Sequence, residues 1–153
     1  ERLKEYSPED RDEVLRILES SFPGRVQERL LMNWEEANSM FDSGLIYFGS
    51  HTAGHVMLDQ VDKKKVHMEL VSSKNSLKNM LGIDSPIFAY PNGRTTDTAV
   101  SVLKELNYTA AVTTQRGYVR GDTPLFGIPR IGIHDDGSST IPLFLARLTS
   151  DVF

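Results

Sequence analysis

Cysteine is missing from all 153 residues. Its absence excludes a disulfide framework, a thiolate-ligated zinc and a cysteine nucleophile. No apolar run approaches the ~20 residues that a membrane-spanning helix needs, and none of the 153 residues forms a charged-then-apolar leader stretch. Cations are not in excess: the formal net charge is -4, so nothing calls for nucleic acid, whose phosphates require clustered positive charge. The one basic run, Lys63-Lys64-Lys65, sits beside Asp59 and Asp62 and reads as a solvated loop. A glycine-rich phosphate loop is also lacking, which argues against nucleotide chemistry. No G-x-S-x-G elbow surrounds Ser50 or Thr52, so their hydroxyls read as local hydrogen-bonding groups that fix a loop.

What is present is ordinary for a soluble globular protein: 39% hydrophobic and 25% charged residues. The length suffices for one sizeable core, in one domain or part of one. Apolar spacing is that of an α/β chain. Val14, Leu15 and Leu18 share a face of a helix predicted over 8–21, opened by Ser7 and Pro8 and stopped by Phe22-Pro23-Gly24. Residues 24–32 connect it to a second helix, capped by Asn33 with Glu36 in capping-box spacing. Trp34, Ala37 and Met40 are predicted to form the buried face of that helix, and Gly44 to end it.

Leu45 to Gly49 reads as a short buried strand. A helix over Met68–Leu81 follows, with Leu70, Leu77 and Leu81 in register and Gly82 as its stop. Ile87 to Ala89 is a second strand. Thr95 or Thr96 then caps a helix facing inward through Ala99, Val100, Leu103 and Leu106, and Thr109 to Thr114 is a third strand. Leu125 to Ile133 reads as a fourth strand interrupted by Pro129, and Ile141 to Leu148 as a short helix or strand. Such alternation implies parallel strands with helices packed outside.

Two motifs stand at the carboxyl ends of consecutive strands, where ligands bind in α/β folds. The first is Ser50-His51-Thr52-Ala53-Gly54-His55. Two imidazoles four positions apart share one side of a helical turn, so both can reach one ion if the segment winds up after the strand. The spacing alone fits equally two polar residues of a loop. The second motif is Phe88-Ala89-Tyr90-Pro91-Asn92-Gly93.

Together these motifs resemble the polysaccharide deacetylase family, the NodB-type domain of carbohydrate esterase family 4. His51 and His55 match the two metal-binding histidines of its "gSHTxxH" pattern, and Tyr90, Pro91, Asn92 and Gly93 match its "aYPyG" turn, part of the active-site wall. Asn33-Trp34-Glu35-Glu36 is similar to the family's "LtWeE", Leu106-Asn107-Tyr108-Thr109-Ala110-Ala111 to its "lGYkaA", and Ile128-Pro129-Arg130-Ile131 to the "lpRi" of one bacterial branch. The family's "TFDDG" motif, with a catalytic and a metal-ligand aspartate, has no counterpart before His51; Asp10, Asp12 and Asp42 lack its setting.

The resemblance implies that residues 1–153 are a single partial domain, the C-terminal portion of a distorted (β/α) barrel. It also implies a metal-dependent hydrolase that removes N-acetyl groups from amino sugars of a polysaccharide. By the resemblance a divalent metal, expected to be zinc, would use His51 and His55, with the third family ligand absent from this chain; Asp59, His67, Glu69, Asp135 and Asp136 are conceivable substitutes or surface residues. Asn92 would offer a backbone N–H to the oxyanion. His134 suits a proton donor to the leaving amine or a surface loop; Arg130 suits the orientation of an acidic group or a structural ion pair. Tyr90 suits core or substrate wall.

The expected partner is an N-acetylated glycan, and the expected location is extracytoplasmic or at a bacterial cell envelope. Low activity is expected of the chain alone. Two other readings stay open: an inactive deacetylase-like module that binds glycan or protein, and a fragment completed by strand exchange in a homo-oligomer, since an incomplete barrel leaves strand edges unpaired.

Overall fold

The computed structural model describes residues 6–22 and 29–149. Chain contacts divide it into two compact units, residues 1–47 and 48–153. The Pro23-Gly24 stop and residues 25–28 lie outside the described residues.

In the first unit, α1 (Pro8–Ser21) forms over the predicted span, because the Ser7 hydroxyl accepts the Asp10 N–H while Glu9 and Asp10 complement the dipole. The second helix, α2 (Trp34–Asp42), begins on a complete capping box. Asn33 Oδ1 accepts the Glu36 N–H at 2.9 Å and Glu36 Oε2 accepts the Asn33 N–H at 2.8 Å. Arg29 clamps the same carboxylate at 2.8 and 2.7 Å. Gly44, with φ 72°, follows its end. Of the predicted buried face only Ala37 is enclosed. Trp34 and Met40 stay exposed, since side chains that large need a facing surface and none of the described residues supplies it.

The second unit is built on a narrow parallel ladder. Strands β1 (Ile87–Ala89) and β2 (Ala110–Val112) pair in register, Phe88 opposite Ala111. Ser50 bridges to Phe88 on one side and Ile128 to Val112 on the other, both parallel. Four chain segments thus run side by side in the order in which they occur.

Two predicted strands are corrected. Leu45 to Gly49 is unpaired, with Leu45 87% exposed; pairing starts only at Ser50, and apolar side chains without a neighbouring strand remain in solvent. In the Leu125–Ile133 segment only Ile128 bridges, because Pro129 has no N–H to continue a ladder.

Helix α3 (Lys63–Leu81) begins five residues before its apolar spacing shows. The Asp62 side chain accepts the Lys65 N–H, so the three lysines form the first turn of a helix instead of a solvated loop. Gly82 closes it with φ 70°, as predicted. α4 (Asp97–Glu105) starts on the Thr96 hydroxyl, and α3 packs on α4. Leu70 and Val66 from α3, Ala99, Val102 and Leu103 from α4, and Phe88, Tyr90 and Ala111 from the ladder make the core. Each large side chain so buried contributes roughly 1.5–3 kcal/mol.

Phe88 meets Tyr90 and Tyr108 edge-on at 5.2 and 5.8 Å. Two last helices, α5 (Asp135–Ser138) and α6 (Ile141–Thr149), pack on each other. Among the described residues no helix is long and apolar enough to cross a membrane.

Candidate active site

Beyond Ser50 the chain leaves the ladder at its carboxyl end, with the Ser50 hydroxyl 2.6 Å from that of Ser73 on α3. The histidine segment does not wind into a helix. Instead Thr52 and His55 take positive φ, 65° and 52°, and a loop rather than a helical turn brings the rings together, their centroids 4.8 Å apart and 73° between planes. A non-glycine residue in the left-handed region costs about 1–3 kcal/mol, so the surroundings must hold the loop. Glu69 does so: its Oε2 accepts the N–H of Ala53 at 3.0 Å and of Gly54 at 2.8 Å. Buried Val56, Met57 and Leu58 anchor the chain beyond it. The Thr52 hydroxyl, read above as fixing the loop, is buried with no hydrogen-bond partner among the described residues.

His51 Nδ1 stands 2.7 Å from the Ala89 carbonyl oxygen, at the end of β1. A carbonyl can only accept, so a proton lies on Nδ1, and in the neutral ring Nε2 then keeps its lone pair, the arrangement that a metal-ligating imidazole uses. Both histidines are exposed. They supply two nitrogen donors, which fits part of a zinc site. Among the described residues no group of three or more His, Cys, Asp or Glu could hold a metal. Of the conceivable third ligands, Asp59 pairs with Arg94 at 3.1 Å and Glu69 is engaged with the loop. His67, Asp135 and Asp136 are exposed on helices α3 and α5.

The second motif makes a single tight turn over Pro91–Gly93 directly after β1. Asn92 and Gly93 both have positive φ, 53° and 71°. Gly93 lies against the chain after β2 so closely that a Cβ would stand 2.2 Å from Thr114 Oγ1, and that hydroxyl donates to the Asn92 carbonyl at 3.1 Å. The Asn92 amide reaches Met57 Sδ at 3.0 Å, which ties this turn to the end of the histidine loop.

The Tyr90 ring is fully buried, its hydroxyl donates to the Phe126 carbonyl at 3.1 Å, and burial pushes its pKa up to about 12. Pro91 is buried too. The substrate-facing reading of these two side chains is therefore corrected: an enclosed ring cannot touch a ligand, and Tyr90 and Pro91 support the wall from behind.

Arg130 donates through Nε to the Thr113 carbonyl at 2.5 Å, and its N–H bonds Gln115 O at 2.8 Å. It braces the chain after β2, bonded to a backbone carbonyl. His134 precedes α5, its N–H donating to the Ser138 hydroxyl at 2.8 Å and its carbonyl accepting from that hydroxyl at 2.5 Å, and its imidazole lies over Gly132, where a Cβ would be 2.8 Å from Nε2. The structure thus brings together His51, His55, Asn92 and Gly93, with Glu69 and Thr114 as supports that residue spacing had not singled out for that role. Nothing local in the sequence marks those two, because their bonds reach 15 to 22 residues away.

With this geometry in view, the relatives are informative. A family model described as Polysaccharide deacetylase matches residues 22–111, and the chain belongs to that family. YxkH of Bacillus subtilis (strain 168) is 26% identical over 99 residues, 65% of this chain and 35% of its own length. The Streptococcus pyogenes deacetylase PplD, solved in complex with acetate, is 28% identical with a TM-score of 0.66, over 74% of this chain and 49% of PplD. BC0361, a polysaccharide deacetylase from Bacillus cereus, has the same fold at 24% identity and a TM-score of 0.68, over 89% of this chain and 46% of BC0361. The chain spans about a third to a half of the length of these relatives.

Proposed function

We propose that this chain carries the histidine-bearing, carboxyl-terminal portion of a metal-dependent deacetylase barrel, which hydrolyses N-acetyl groups on amino sugars of a polysaccharide. One observation carries the reading: the His51 and His55 rings converge beyond the strand ends, with His51 oriented by the Ala89 carbonyl. His51 through Nε2 and His55 through a ring nitrogen would hold a divalent cation, zinc by its preference for imidazole. A third carboxylate ligand and the general base would come from residues other than those described. When bound, the ion supplies Lewis acidity to the acetyl carbonyl and to water.

The chain's own groups divide the remaining work. The turn at Asn92, held by Thr114, offers the Asn92 backbone N–H where negative charge develops on the acetyl oxygen, while the Gly93 N–H closes the turn on the Tyr90 carbonyl at 2.9 Å. His134 is the candidate proton donor to the leaving amine, and Arg130 braces the Thr113 to Gln115 segment on which that wall rests. An N-acetylated glycan outside the cytoplasm, at a bacterial cell envelope, is the corresponding partner.

A second reading, a glycan-binding module without turnover, is favoured by the lack of a three-donor group among the described residues. Zinc titration of the chain and of a His51→Ala/His55→Ala double variant, with acetate release from N-acetylglucosamine oligomers read on the chain joined to the ligand- and base-bearing part of the domain, separates the two. Histidine-dependent zinc binding with acetate release supports the hydrolase. Oligomer binding without acetate release supports the module, and zinc binding unchanged in the double variant sinks the metal-site reading.

A further inference from the structure

We infer that Glu69 is the positioning residue of the histidine loop: from α3 its carboxylate holds the Ala53 and Gly54 amides and so fixes where the His51 and His55 rings stand. Its effect on zinc affinity rests on the metal-site reading above; its effect on the loop does not. The Glu69 side chain is 8% exposed. A carboxylate that deep is costly unless it is hydrogen-bonded and paired. Here Oε2 takes both amides, and Oε1 lies 3.2 Å from Lys65 Nζ, one turn back on the same helix.

The two captured amides are the middle residues of His51-Thr52-Ala53-Gly54-His55. On either side of them stand Thr52 and His55, whose positive φ values strain the backbone. Charge-assisted bonds to two consecutive amides offset that strain. Without them the loop is free to relax to ordinary φ, and the 4.8 Å approach of the rings is lost with it. Glu69 therefore acts through the loop, as an anchor and not as a metal ligand.

The test compares Glu69→Asp, which keeps the charge but withdraws it by one methylene, with Glu69→Gln, which keeps the reach and an acceptor oxygen. Amide hydrogen exchange is read at Ala53 and Gly54, with the Ala89 amide of the Ser50 ladder as internal reference, and zinc affinity is measured by competition titration. Glu69→Asp is expected to speed exchange at Ala53 and Gly54 at least tenfold and to weaken zinc by about 10-fold or more, the range for outer-shell ligand supports. Glu69→Gln, which keeps the reach and an acceptor but not the charge, is expected to lose less than Glu69→Asp on both readouts.

Unchanged exchange at the two amides in Glu69→Asp overturns the proposal. So does an equal loss in both variants that extends to the Ala89 amide, which would mark a merely structural role. If zinc binding is unchanged by His51→Ala/His55→Ala while the two amides respond to Glu69→Asp as expected, the metal reading fails and the positioning role stands.

Discussion

His51 Nδ1 lies 2.7 Å from the carbonyl oxygen of Ala89, across 38 residues of sequence. The bond assigns the ring proton to Nδ1 and aims Nε2 outward. Nitrogen-detected NMR at neutral pH should therefore find the Nδ1–H tautomer at His51. His55→Ala should leave that signal in place, since Ala89 and not His55 orients the ring. An Nε2–H tautomer would refute the assignment.

Gly93 tests how tightly the second turn is built. At φ 71°, a Cβ would also meet the Thr114 backbone nitrogen at 2.4 Å. Gly93→Ala should cost about 3 kcal/mol or more from strain and overlap together. Gly82 has nearly the same φ, 70°, with nothing within 4 Å, so Gly82→Ala should cost about 1 kcal/mol. Urea unfolding of the two variants measures the difference, which is the part due to the approach to Thr114.

Tyr90→Phe removes one buried bond, to Phe126 O, and should destabilise the fold by about 1 kcal/mol. Zinc affinity should not change, because the ring is enclosed. The same burial holds the hydroxyl neutral in the folded state up to about 12, above its ordinary 10.0. Since the unfolded chain releases this proton first, stability should fall as pH rises from about 10 toward 12. Ultraviolet titration of tyrosinate in the parent and in Tyr90→Phe checks this.

At the other end of the pH scale, bonds from Arg29 and from the Asn33 N–H hold the Glu36 carboxyl down at about 2, below its ordinary 4.5. A depressed carboxyl pKa stabilises the folded state above the unfolded value, and that contribution disappears as pH falls from about 4.5 to 2. The Glu36 carboxyl carbon, followed by NMR, should titrate near 2 in the parent. In Arg29→Ala it should titrate higher.

Much of the fold was legible because it is set by neighbours three or four residues apart. Ser7, Asn33 and Thr96 cap helices where their side chains reach an N–H three positions on. Gly82 ends α3 for a reason as local, the left-handed conformation it takes. Two of the misreadings have the opposite cause. Leu45 to Gly49 looks like a buried strand by composition, but a strand needs a neighbour, and the ladder begins at Ser50. The Lys63 to Lys65 run differs, since its cause is local: the Asp62 side chain accepts the Lys65 N–H three positions on and turns a run of solvated charges into the first turn of a helix. Tyr90 could have faced either way until the Phe126 carbonyl was found at its hydroxyl.

By itself the sequence determined which donors exist: two imidazoles in one short loop, no thiol, no cation-rich surface and a Tyr-Pro-Asn-Gly turn after a strand. Family membership followed from the order of those motifs. Only the tertiary structure decided that the histidine loop is held by a glutamate on the next helix, that the following strand orients His51, and that Tyr90 and Pro91 support the site from inside. The physical reason is the reach of the bonds. Caps and helix ends close over three or four residues and are written in local order. The supports of the site close over 15 to 38 residues, and their groups meet only after the core has brought the strands and α3 together.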